Sequence, residues 1–193
     1  LALDDTTLAI QGPPGSGKTT IAKIIAEKTN SEFYQINAVS SGVKDIRSII
    51  ERAELNRKMN KRTILFIDEI HRFNKEQQDA LLHSVESGLV TLIGATTENP
   101  SFEIIPALRS RARIYVLDNL SKEDLQAILD FALTKDEFLS KLKIEPVDSD
   151  FLIYLSGGDA RIMLNILEAA VIQEIDSDPI KVSKEVLENI VQK

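Results

Sequence analysis

The sequence predicts a doubly wound α/β domain followed by a small all-α domain. Three observations predict it. Apolar runs of strand length alternate with amphipathic segments of helical period up to Asp118. A glycine-rich loop joins the first of these runs to the first helix. Beyond Asp118 strand signals stop and only helical periodicity remains. The expected division is therefore 1–118 and 119–193.

The elements follow in order. Leu8, Ala9 and Ile10 make a short apolar strand, and Ile21, Ile24 and Ile25 recur at helical spacing after the loop. Residues 32–36 fit a second strand, and 45–59 fit a helix with Ile46, Ile49, Ile50 and Ala53 on one face. Thr63-Ile64-Leu65-Phe66-Ile67 is continuously apolar, as expected of a parallel strand buried on both faces. Asn74 with Gln77 reads as a capping box opening a helix that Gly88 ends. Residues 89–95 and 114–117 are the remaining strands. In the second part, Ser121 with Asp124 forms another capping box ahead of a helix over 125–133. Further helices are expected over 148–155, 159–175 and 183–191, with 135–146 a loop retaining some helix.

Composition bounds the function. The 193 residues are 43% hydrophobic and 27% charged, as in a typical globular protein. There is no cysteine, which excludes a disulfide scaffold and thiolate metal sites and fits a reducing compartment. No apolar run approaches the ~18 residues of a membrane span, and Leu1-Ala2-Leu3-Asp4-Asp5 has no signal-peptide character, so no membrane partner is expected. The net charge of −7 argues against a surface that is basic throughout. Contact with nucleic acid would need a local basic stripe or segments outside this chain. Arg57, Lys58, Lys61 and Arg62 form one small basic cluster, which also fits a solvated helix end.

The chemistry concentrates in a few places. Gly12-Pro13-Pro14-Gly15-Ser16-Gly17-Lys18-Thr19 satisfies G-x-x-x-x-G-K-[ST], between a strand and a helix as the motif requires. Its glycines let the backbone wrap a phosphate, and the helix N-terminus points amide groups at the anion. Lys18 is expected to reach the β- and γ-phosphates and the Thr19 hydroxyl to ligate Mg²⁺. Thr20 completes the set of nucleotide-binding positions, and ATP with Mg²⁺ is the expected ligand.

Asp68-Glu69 closes the most hydrophobic strand, where the ligands of open α/β sheets bind. Asp68 can hold the Mg²⁺ and Glu69 can polarise a water for in-line attack on phosphorus. Asp68-Glu69-Ile70-His71 also matches the D-E-x-H box of helicases, in which His71 would couple hydrolysis to motion. A supporting or a surface histidine fits equally well. Helicases of that class need two such domains, and one is present. A hydroxyl of the Thr96-Thr97 strand end could orient the attacking water, although Thr, Asn and Pro also make ordinary turns. Arg109, Arg111 and Arg113 offer rigid donors for charge on a transferring phosphate, or simple surface contacts. Arg161 falls in the first turn of a helix that Asp159 can cap, where the helix dipole disfavours a cation. A nucleotide phosphate would compensate it, as would Asp159 itself.

Together, the phosphate loop, Leu65-Phe66-Ile67-Asp68-Glu69, the Thr-Thr strand end, Ser110-Arg111 and Gly158-Asp159-Ala160-Arg161 resemble an AAA+ ATPase of the clamp-loader clade. The stretch 64–106, with Asp68-Glu69-Ile70-His71-Arg72-Phe73-Asn74-Lys75 and Gly94-Ala95-Thr96-Thr97-Glu98-Asn99-Pro100-Ser101-Phe102, and the run Ala38-Val39-Ser40-Ser41-Gly42-Val43-Lys44-Asp45 narrow it. They are similar to the replication-associated recombination ATPases, the bacterial RarA/MgsA family and its eukaryotic Werner-helicase-interacting relatives. The resemblance implies a P-loop NTPase with a five-stranded parallel sheet and a helical lid. It implies Walker A roles for Lys18 and Thr19, Walker B roles for Asp68 and Glu69, and Glu69 as catalytic base. It further implies Thr97 (less readily Thr96) as sensor 1, Arg111 as an arginine finger acting on a neighbouring subunit, and Arg161 as sensor 2 acting in cis. Ala112 stands where the clade usually has cysteine, and Arg109 competes with Arg111 for the finger role.

The family's partners are single-stranded or forked DNA and single-strand DNA-binding protein, with a tetramer built by a C-terminal domain. Its location is cytoplasmic in bacteria and nuclear in eukaryotes. A chain of 193 residues that opens on Leu1 is expected to be the ATPase core and lid of a longer protein, nearly inactive alone. A clamp-loader subunit or a Holliday-junction branch-migration ATPase is the alternative within the same fold.

Overall fold

A computed structural model describes residues 7–99 and 105–192. The sequence features at Leu1-Ala2-Leu3-Asp4-Asp5 and at Pro100, Ser101 and Phe102 lie outside the described residues. The chain forms two compact units: 1–13 with 17–118, and 119–193 together with 14–16.

In the first unit, β1 (Thr7–Gln11), α1 (Lys18–Lys28), β2 (Glu32–Asn37), α2 (Val43–Lys58), β3 (Thr63–Asp68), α3 (Lys75–Glu86), β4 (Thr91–Thr96), the short α4 (Pro106–Arg109) and β5 (Ala112–Val116) follow one another. The five strands form one sheet in the order β2-β3-β4-β1-β5, every neighbouring pair parallel. This is the expected doubly wound sheet.

The central strands are apolar throughout because both faces are covered. Leu65 and Ile67 of β3 pack with Ile46, Ile49, Ala53, Leu81 and Val85 of α2 and α3. Ile64 and Phe66, which alternate with them, pack with Ala22 and Ala26 of α1 on the opposite face. The edge strand β5 differs, since Ile114, Tyr115 and Val116 are all exposed. Helix α2 begins two residues before the expected start, because the Asp45 carboxylate accepts the Gly42 N–H at 2.8 Å and satisfies that end of the helix. The α3 box is as expected: Asn74 Oδ1 accepts from the Gln77 amide and Gln77 Oε1 from the Asn74 amide, both at 2.9 Å.

Register decides what meets at the carboxyl edge of the sheet. Gln11 lies opposite Thr96, and Ile67 opposite Gly94. The strand ends of β1, β4 and β3 therefore stand side by side, where ligands of such sheets bind. A single turn of 3₁₀ helix, Ile70–Arg72, follows β3, and its buried Ile70 lies across Gly94. A Cβ on Gly94 would stand 2.8 Å from Ile70 Cδ1, so the absence of a side chain there lets the turn sit against the sheet.

The second unit comprises α5 (Lys122–Lys135), α6 (Ser149–Ser156), α7 (Ala160–Gln173) and α8 (Lys184–Val191) around Leu125, Leu129, Leu152, Met163, Leu167 and Leu187. One turn of 3₁₀ helix, Leu139–Lys141, is the helical part of the loop expected over 135–146. Side chains of Ser121, Asp148, Asp159 and Ser183 cap the four helices. No helix among the described residues is long and apolar enough to cross a membrane.

Two predictions follow from this packing. Gly94→Ala should cost about 1–3 kcal/mol in urea unfolding, and adding Ile70→Val, which removes the obstructing methyl, should recover part of it. The second concerns pH. The Asp124 carboxyl is held below its usual range by hydrogen bonds from the Ser121 side chain and backbone. The Asp136 carboxyl is lowered by the amides of Leu139 and Phe138. The Asp148 carboxyl is lowered by the Phe151 amide and then by Lys184. Each binds its proton less readily folded than unfolded, so its contribution is complete above the ordinary carboxylate range and is lost as pH falls through and below it. Thermal melts followed by helical circular dichroism should show that decline, and replacing the three with Asn should flatten it.

Candidate functional site

The phosphate loop leaves β1 at Gly12. Gly15 and Gly17 hold φ of 72° and 85°, conformations that a side chain strongly disfavours, and Gly17 caps α1. Lys18, only 8% exposed, donates from Nζ to the carbonyl oxygens of Gly12 and Pro13, both at 2.8 Å. A buried ammonium on backbone carbonyls is well placed to meet an anion wrapped by the same loop. The first turn of α1 holds Lys18, Thr19 and Thr20 with no acidic residue, so the positive end of the helix dipole is uncompensated by a local carboxylate.

Asp68 is the last residue of β3, and its carbonyl accepts the Ala38 amide at 3.0 Å. The next residue, Glu69, has φ 54° and ψ 46°. A left-handed backbone at a non-glycine residue costs on the order of 1–3 kcal/mol and is maintained only where its surroundings impose it. Here the surroundings are the Arg72 amide, which donates to the Glu69 carbonyl at 2.8 Å, and Ile70 seated over Gly94. The strained turn brings the Glu69 carboxylate back towards the end of β4. Its Oε2 lies 3.2 Å from His71 Nδ1 and accepts from the Thr97 hydroxyl at 3.4 Å.

The two threonines differ. Thr96 is fully buried; its Oγ1 lies 2.9 Å from His71 Nδ1 and accepts the Glu98 amide at 2.9 Å. Thr97 is exposed and reaches Glu69 directly. The Thr96 carbonyl accepts the Gly12 amide at 3.1 Å. A chain of contacts thus runs from the phosphate loop through the end of β4 to Glu69. His71 is the member whose part sequence reasoning left open. A signal was present in the small residue at Gly94, which makes room for the turn that carries it.

The arginines stand on other elements, and two of them pair with nearby acids. Arg111 Nη2 pairs with Glu86 Oε1 at 3.2 Å, Arg109 ends α4 and Arg113 lies in β5, all three exposed. Arg161 belongs to the helical unit, with Nη2 3.7 Å from Asp159 Oδ2 and a side chain 71% exposed. Asp159 Oδ1 also accepts the Arg161 amide at 2.8 Å, so the local acid offsets part of the unfavourable dipole. No group of three or more His, Asp or Glu side chains among the described residues could hold a metal by itself. Thr19 and Asp68 supply hard oxygen donors, which suit an Mg²⁺ that takes its remaining ligands from phosphate and water.

Comparison with known proteins agrees with the fold and identifies the family. The family model "ATPase family associated with various cellular activities (AAA)" matches residues 8–119. Replication-associated recombination protein A of Escherichia coli is 48% identical over 182 residues, covering 92% of this chain and 41% of that protein. ATPase WRNIP1 of Dictyostelium discoideum is 46% identical over 165 residues, 84% of this chain and 19% of that protein. The chain thus spans less than half the length of these relatives. Among solved structures, the Thermotoga maritima RuvB Holliday junction branch migration motor superposes with a TM-score of 0.74 at 26% identity, covering 97% of this chain and 61% of that one. A parallel five-stranded sheet, a phosphate loop between β1 and α1, and a family match over more than half of the residues make this chain a member of the AAA ATPase family.

Proposed function

We propose that the chain is the ATP-hydrolysing module of a protein acting on DNA in replication-associated recombination, at stalled forks or DNA ends. The observation that carries the ATPase reading is the contact chain Gly12–Thr96–His71–Glu69, with Thr97 on the same carboxylate. It joins the anion-binding loop to the acid best suited to activate water. The DNA setting is supported by the 48% identity to Replication-associated recombination protein A and by the WRNIP1 relative.

In this reading residues 12–20 wrap the triphosphate, and Lys18 and the first turn of α1 neutralise its charge. Bound Mg²⁺ would draw the β- and γ-phosphate charge together, with Thr19 and Asp68 as its protein oxygens. Glu69 takes the proton of the attacking water and Thr97 orients that water. Arg111 of one subunit approaches the terminal phosphate of a neighbour, releasing Glu86, and Arg161 contacts the same phosphate in cis. A homo-oligomer, built by segments beyond this chain as a tetramer, and a single-strand DNA-binding protein are the partners this reading adds. Without neighbours Arg111 has no phosphate to meet, so the isolated chain is expected to bind ATP and turn over slowly. The RuvB likeness favours branch migration less than the relatives favour recombination, because its identity is 26%.

Glu69→Gln in the full-length protein should retain nucleotide affinity in calorimetry and lose hydrolysis by about 10²–10⁴-fold. Lys18→Ala should lose the affinity itself. Wild-type turnover by Glu69→Gln would remove Glu69 from the mechanism. Arg111→Ala should lower the rate by up to about 10³–10⁵-fold in the assembly. Mixing Arg111→Ala with Glu69→Gln subunits should restore some activity, since an intact arginine then faces an intact base. No recovery in the mixtures would place the arginine's action within its own subunit.

A further inference from the structure

The side chain of His71 is only 7% exposed, and although it lies in the contact chain to Glu69, neither phosphate binding nor proton transfer as assigned gives it a part. Its Nδ1 faces two oxygens, Thr96 Oγ1 at 2.9 Å and Glu69 Oε2 at 3.2 Å. Proton accounting decides the tautomer. A carboxylate oxygen can only accept, and a ring lone pair aimed at it would repel it. Nδ1 therefore carries the hydrogen. Thr96 Oγ1 already accepts the Glu98 amide, and it can place its own hydrogen towards the Glu98 carbonyl, 3.4 Å away. Its remaining lone pair is then open to Nδ1–H. Every donor in the cluster has an acceptor.

We propose that His71 is the positioning residue for Glu69: its Nδ1–H fixes the carboxylate and ties it to the buried Thr96 hydroxyl at the end of β4. The proposal rests on reading Glu69 as the general base. The need for such a device follows from the geometry. Glu69 is a flexible side chain with 30% exposure, mounted on a left-handed residue. A base must stay within hydrogen-bond reach of the water it activates. With His71 and Thr97 both donating to Oε2, the carboxylate is held by one oxygen and Oε1 remains for water. Thr96 also binds the first residue of the phosphate loop through its carbonyl, so the orientation of the base and the placement of the loop share one anchor.

The test is steady-state ATP hydrolysis and fluorescent-nucleotide binding by the full-length protein. His71→Ala should lower kcat by roughly 10- to 100-fold, as expected when a reacting group is misplaced by about 1 Å, with KM and nucleotide affinity unchanged. His71→Asn, which returns an N–H near the Nδ1 position, should recover most of that loss. Thr96→Val removes the anchoring hydroxyl with little change of shape. It should lower kcat alone, and should add little to His71→Ala. Unchanged kcat in His71→Ala, an Asn variant as slow as the Ala variant, or fully additive losses with Thr96→Val would overturn the proposal. Should His71→Ala fail to fold, the Asn and Val variants decide it. Glu69→Gln is the control: normal turnover there defeats the general-base reading, whereas its loss beside a normal His71→Ala defeats the positioning role alone.

Discussion

The register of β1 against β4 is the constraint on which the site depends. Gln11 stands opposite Thr96, so the residue after the strand, Gly12, donates to the Thr96 carbonyl. A slip of one residue would reverse every side chain of the strand. Leu8 and Ile10 would leave the α1 face, Ala9 the α2–α3 face, and the phosphate loop would begin away from the acid pair. Burial on both faces of the sheet makes such a slip costly. The same packing that stabilises the domain therefore sets the position of its phosphate loop.

Of the three non-glycine residues with left-handed backbone among the described residues, Asn30 and Asn60 are of a type that tolerates it and Glu69 is not. Glu69 has the left-handed backbone that glycine would adopt more readily, yet the carboxylate is there. Its position is imposed by Ile70, whose place over Gly94 depends on a residue without a side chain in the neighbouring strand. The fold thus spends stability at Glu69 and recovers it in the core beneath, a pattern expected where a reactive group must be held in one orientation.

Most of the fold was legible from the pattern of apolar residues. The unbroken run Ile64-Leu65-Phe66-Ile67 announced a strand covered on both faces, and Asn74 with Gln77 marked a helix start to the residue. Four-residue α4 was not legible, since it is too short to show a period. The turn at Glu69 carried no glycine to reveal it. Thr96 and Thr97 could not be separated by type, because alternation along a strand sends one inward and one outward, and only the register of β4 says which. Nor could His71 be assigned while its hydroxyl partner, 25 residues away, was known only as a neighbour in sequence. The sequence offered three arginines, two just ahead of β5 and Arg113 within it; the ion pair of Arg111 with Glu86 appears only when α3 is folded beside it.

The central claim is that the phosphate loop and the acid pair serve one nucleotide. A crystal structure of the full-length protein with Mg²⁺ and a non-hydrolysable ATP analogue tests it most directly. The account predicts the terminal phosphate at the N-terminus of α1, touched by Lys18, with the free oxygen of Glu69 facing it through a water. Phosphates bound elsewhere, or a Glu69 carboxylate turned away from a fully occupied loop, would contradict it.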